Sequence, residues 1–115
     1  MALLGMQFED GVVQYNLSNN VKIRKKDNII NLYRPYGSET ISFSGAGWQT
    51  LATIPDDCSP VAKVAGIVVD NNTNDQTKLG IEFKIDFING NYVIQMYIFT
   101  TAVAYNPMFN ITYIN

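Results

Sequence analysis

Histidine is absent from this chain of 115 residues. Its absence removes the commonest general base, the usual nucleophile–base triads and most zinc sites. A single cysteine, Cys58, excludes an intrachain disulfide and leaves the redox compartment open. Charge is scarce: 16% of residues are Asp, Glu, Lys or Arg, and the net charge is −2. That balance gives no electrostatic footprint for nucleic acid or an anionic membrane surface. No run reaches the ~18 apolar residues of a membrane span, so membrane insertion is not expected. The opening Met1-Ala2-Leu3-Leu4-Gly5-Met6 lacks the basic region of a signal peptide. No amphipathic helical pattern occurs anywhere. No cofactor or metal is expected.

What is present is a large apolar fraction, 47%, rich in β-branched and aromatic residues. A chain of this length fills one domain, here 1–115. Its clearest stretch is 79–99. Ile81, Phe83, Ile85 and Phe87 alternate with Glu82, Lys84 and Asp86, the period of a strand with one dry face. Asn89-Gly90 then supplies the two positive-φ residues of a type I′ turn. Folding there sets Phe87 opposite Tyr92, Ile85 opposite Ile94, Phe83 opposite Met96 and Ile81 opposite Ile98. A slip of one residue would bury the charges, so this register is strongly specified.

Further strands are predicted over 11–18, 21–26 and 29–34, joined at Asn19-Asn20 and Asp27-Asn28 as a meander. Residues 39–44 alternate, with Ile41 and Phe43 inward. Strands 48–54 and 61–70 flank a proline-bracketed loop, and 61–70 is apolar enough to be central or buried on both faces. A closing strand covers 108–114. Turn signals recur about every ten residues, which predicts an all-β, antiparallel β-sandwich or jelly roll.

Chemical sites are few. Asp70-Asn71-Asn72-Thr73-Asn74-Asp75 opens like a calcium loop, but Asp75 stands where glycine is required and Ile81 where glutamate is, so a plain loop is the better reading. Cys58 has no histidine to activate it and reads as an inert thiol. Asp56-Asp57 are adjacent loop residues, which rarely point at one bond, and read as solvated. Lys22, Arg24, Lys25 and Lys26 read as the solvent face of an edge strand. Sequons at Asn16, Asn71 and Asn110 matter only in a eukaryotic secretory pathway. Without nucleophile, base and orienting group, no enzyme is expected.

Two sets of residues point to partners. Trp48, Tyr33, Tyr36 and Tyr105 offer aromatic faces with polar tips, candidates for saccharide contact. The outward face of the second hairpin strand carries Val93, Gln95, Tyr97 and Phe99, three of them apolar. Something covers that face, either a second sheet of the same chain or a neighbouring subunit.

At Gly47-Trp48-Gln49-Thr50-Leu51-Ala52-Thr53-Ile54-Pro55 the chain resembles the C-terminal head domains of tail-fibre and baseplate proteins from phages and prophages of Gram-positive bacteria. Trp48, Leu51, Ala52, Thr53, Pro55 and Pro60 match the strand-and-loop phrase of that family. Gly11-Val12-Val13, the segment 85–93 and Ile111-Thr112-Tyr113 match its remaining phrases in order. The chain departs at Cys58-Ser59-Pro60, where the family often has an aromatic residue, arginine and proline. The resemblance covers residue 10 to the end, and 1–10 read as a remnant of a longer fibre or a linker. It implies a homotrimeric, non-enzymatic β-sandwich or jelly roll of the virion, with Val93, Tyr97 and Phe99 at the subunit interface. Implied partners are other tail or baseplate proteins and a host cell-surface receptor such as a cell-wall saccharide. The alternative is a monomeric carbohydrate-binding module using Trp48 and exposed tyrosines.

Overall fold

The computed structural model of the chain describes residues 6–9, 11–71 and 80–115, and no α-helix occurs among them. The strands are β1 (Met6–Glu9), β2 (Val12–Asn16), β3 (Lys22–Lys26), β4 (Ile29–Arg34), β5 (Gly47–Thr53), β6 (Val64–Asp70), β7 (Gly80–Ile88), β8 (Asn91–Ile98) and β9 (Pro107–Ile114). They form one antiparallel sheet in the order β1-β2-β3-β4-β9-β6-β7-β8-β5. Strand β9 makes that sheet fold over. Its residues Phe109 to Ile114 pair with β4, whereas only Pro107 and Met108 pair with β6. The two halves therefore stack. Ile23, Ile30 and Leu32 of one half share a core with Leu51, Ile94, Met96 and Ile98 of the other, all essentially without solvent exposure. The predicted all-β sandwich is what forms.

The β7–β8 hairpin shows how alternation becomes structure. Phe83 pairs with Met96, Ile85 with Ile94 and Phe87 with Tyr92, as predicted. Asn89 and Gly90 have φ of 52° and 86°, so the two-residue loop has the type I′ handedness. Ile81, Phe83 and Ile85 are buried against the opposite half. Phe87 sits beside the turn of the hairpin, exposed, edge-on to Tyr92 at 4.9 Å.

Strand β5 carries a bulge. Thr50 pairs with Gln95 and Ala52 with Ile94, so Leu51 is the extra residue, and Leu51 and Ala52 are buried in succession. The Leu51 carbonyl accepts hydrogen bonds from Ser18 Oγ (3.1 Å) and Asn19 Nδ2 (2.7 Å). Asn19 and Asn20 take left-handed conformations, which asparagine tolerates, and the turn they make thereby locks one half of the sandwich to the edge of the other.

Several expectations are corrected. Residues 39–44 do not form a strand. Their one ladder contact is an isolated bridge, Ile41 to Tyr105, with N–H···O bonds of 2.7 and 2.9 Å. The Glu39 carbonyl is instead taken by the Arg34 guanidinium at 2.6 Å. Ile41 and Phe43 still pack on the core. Strand β3 is not at an edge but between β2 and β4, and Lys25 turns toward Asp57. Strand β6 is central in the sheet order yet bare on its outer face, where Ile67 is 72% and Val69 58% exposed. Strand β1 lies in a stretch whose pattern is weak. Beyond Asn71, the calcium-like loop and the Asn71 sequon lie outside the described residues.

Candidate interaction surface

The loop after β5 is closed on itself. A single 3-10 turn, Asp56–Cys58, buries the Cys58 side chain completely. Tyr113 Oη donates to the Cys58 carbonyl at 2.8 Å, and Tyr15 Oη to Asp57 Oδ2 at 2.6 Å. Lys25 Nζ donates to the Asp57 carbonyl and lies 3.7 Å from its carboxylate. Asn115 Nδ2 holds the Ser59 carbonyl at 2.8 Å. Burial, and then the Asp57 charge beside it, push the Cys58 thiol up to about 12. A thiol so placed stays protonated and unreactive at neutral pH. Burial raises the Tyr15 and Tyr113 hydroxyls above the ordinary tyrosine range, helped at Tyr15 by the bond to Asp57. Asp57 is thus committed to structure.

A second closed region surrounds Arg34, which is buried at the end of β4. It donates to the carbonyls of Asn19 (2.8 Å), Glu39 (2.6 Å) and Pro107 (3.2 Å) and to Asn106 Oδ1 (2.5 Å). Burial lowers its pKa from the ordinary guanidinium range. Tyr105 belongs to the same packed region. It is 1% exposed, donates to the Thr100 carbonyl at 2.8 Å and meets Phe43 and Phe99 edge-on. Tyr105 is therefore a core residue and offers no face to a saccharide.

The outer face of β5 and β8 is more open. Tyr97 and Phe99 are 43% and 57% exposed, but Val93 is buried between its cross-strand neighbours Asp86 and Thr53. Gln95 is buried beside it and donates to Thr50 Oγ1 at 3.3 Å. Of the three residues assigned to a subunit interface, Tyr97 and Phe99 are available and Val93 is covered by its own chain. Trp48 is half-buried, with Tyr97 edge-on at 5.4 Å and Lys84 Nζ 4.4 Å from its ring centre. The ammonium occupies the ring face on which a sugar would stack.

Tyr33 and Tyr36 lie elsewhere. They line an open groove of about 540 Å³ with Pro35, Val69, Met108 and Asn110. Tyr36 is 92% exposed. The four aromatic residues singled out from sequence are therefore not brought together: two share this groove, one is capped by lysine and one is core. Sequence reasoning missed the bare outer face of β6. The signal was available, since Val64-Ala65-Gly66-Ile67-Val68-Val69 is an uncharged run held between Lys63 and Asp70, as exposed strands often are. Among the described residues no group of three or more His, Cys, Asp or Glu side chains is arranged to hold a metal ion.

No protein-family model matches the chain, and no curated protein or solved structure matches it.

Proposed function

We propose that this chain is a non-enzymatic domain of a bacteriophage tail or baseplate, assembling with copies of itself as a homotrimer and attaching the virion to a host cell-surface receptor. The observation that carries this reading is the apolar surface on a sandwich whose core is already complete. Among the described residues nine large hydrophobic side chains remain exposed, Tyr36, Ile67, Val69, Tyr97 and Phe99 among them. Such surface is characteristic of association rather than of a solitary soluble domain. The ordered phrases around Trp48 and Pro60 support the phage assignment; they occupy β5 and the closed loop that follows.

A monomeric saccharide-binding module is the second reading, favoured by the groove at Tyr33 and Tyr36. Its rings and the Asn71 and Asn110 amides suit a neutral sugar. Both readings are tested by incubating the labelled domain with a panel of Gram-positive cells. Attachment predicts saturable binding to some strains, lost when wall polysaccharide is stripped and weakened by Tyr36→Ala. Equal, low retention on every strain before and after stripping speaks against both. Binding that persists in a species shown to be monomeric favours the second.

A further inference from the structure

A sheet edge that leaves main-chain groups unpaired invites another strand, and natural proteins blunt such edges. Two edges here are blunted. Strand β1 has four residues with a register shift against β2, and β5 carries its bulge, with the turn at Ser18–Asn20 bonded to it. A third edge is not. Strand β6 pairs with β7 along Val64 to Val69, but with β9 only through Val69 and Asp70. Beyond that point β9 leaves for the other layer. Among the described residues the chain closes again only where Val61 N–H donates to the Ile114 carbonyl at 3.1 Å. Between lies a groove of about 400 Å³ lined mainly by apolar residues, Val64, Ala65, Phe83 and Ile111 among them, with Lys63 and Thr112 as its polar members. The free edge from Val64 to Val68 contains neither charge nor proline nor bulge. Gly66 bares the backbone at its middle, and a Cβ there would stand 3.0 Å from the Phe83 ring.

The flanks of this edge are apolar on both sides. Ile67 and Val69 lead across the Val69–Met108 pair to the groove of Tyr33 and Tyr36. At the other end, Val61 adjoins Ile114, which pairs with Ile29. Tyr36, Val61, Ile67, Val69, Ile29 and Ile114 are exposed by 47% to 92%. Together they offer on the order of 600 Å² of apolar surface, at the upper end for a monomer and close to the ~800 Å² per partner of a stable interface. An edge of unpaired amides between apolar rims fits an extended polypeptide rather than a small molecule. The edge is uncharged along its centre, so a neighbouring copy docking against it meets no like-charge repulsion there.

We infer that β6 and its apolar rims are the contact between copies of this chain, a neighbouring copy docking along the free edge from Val64 to Val68. This rests on the assembly part of the proposed function and moves the contact away from Tyr97 and Phe99. Ile67→Lys and Phe99→Lys, both at exposed positions, separate the two surfaces. Light scattering at tens of micromolar should give a multiple of 12.9 kDa for the wild type and for Phe99→Lys. Ile67→Lys should fall to the single-chain mass with an unchanged far-ultraviolet spectrum. An oligomer split by Phe99→Lys and untouched by Ile67→Lys overturns the inference and leaves the assembly reading standing. A monomeric wild type overturns both the inference and the trimer, while cell attachment is judged by its own assay.

Discussion

The two ends of one short segment contrast sharply. In residues 55–60, carbonyls and side chains are held by partners from three other elements, and the cysteine is sealed from solvent. A few residues on, β6 has one neighbour strand for most of its length and large aliphatic side chains in water. What separates them is whether the chain supplies the partner. The closed loop draws on Tyr15, Lys25, Tyr113 and Asn115; β9 turns away from β6 after two residues. The first kind of region contributes stability, and the second is the one we propose for association.

The sharpest way to break the closed side is at Arg34. Replacing it with Met removes the donor from three carbonyls and one side-chain amide, buried or nearly so. The expected loss is about 3–5 kcal/mol, read from urea unfolding. Next in size is the response to alkali. The folded state holds the Cys58 proton to about 12 against an ordinary thiol value of 9.0, so the unfolded chain loses its proton first as pH rises. Stability is full below pH 9 and falls as pH climbs toward 12, and the raised Tyr15 and Tyr113 hydroxyls add to the same slope above 10. Melting temperatures across that window should decline, and Cys58→Ala should shallow the decline. Tyr113→Phe leaves the Cys58 carbonyl without its donor and should cost about 1–2 kcal/mol. The open side should hardly register in stability. Ile67→Lys, at a position 72% exposed, should change unfolding by less than about 0.5 kcal/mol when both proteins are dilute enough to be single chains, while altering self-association at higher concentration.

Much of the sandwich was legible because alternation and turn chemistry are local. Three pairs of the β7–β8 hairpin follow from counting back from Asn89-Gly90, and the β2–β3–β4 meander follows from its turns. The failures have a common physical cause: they depend on which distant group claims a backbone atom or face. The alternation of Glu39 to Ser44 looks like a strand, but Arg34 takes the Glu39 carbonyl and Tyr105 offers a single bridge. The apolar run of β6 resembles a strand buried on both faces; its exposure follows from where β9 departs, and the flanking Lys63 and Asp70 are its only local sign. Tyr105 has the composition of a surface aromatic, yet its hydroxyl finds a partner in Thr100 and its ring fills the core. Of the residues assigned to partners, Tyr36, Tyr97 and Phe99 are exposed, Tyr33 and Trp48 are half-buried, and Val93 and Tyr105 are packed inside.

Amide hydrogen exchange at Ala65 and Ile67, whose N–H groups alternate toward the open edge while those of Val64, Gly66 and Val68 face β7, tests that edge most directly when followed as the protein is diluted. If a neighbouring copy pairs along β6, these amides exchange slowly when concentrated and speed up on dilution, while the β7–β8 hairpin amides hold constant. Exchange at β6 that is indifferent to concentration would contradict the account.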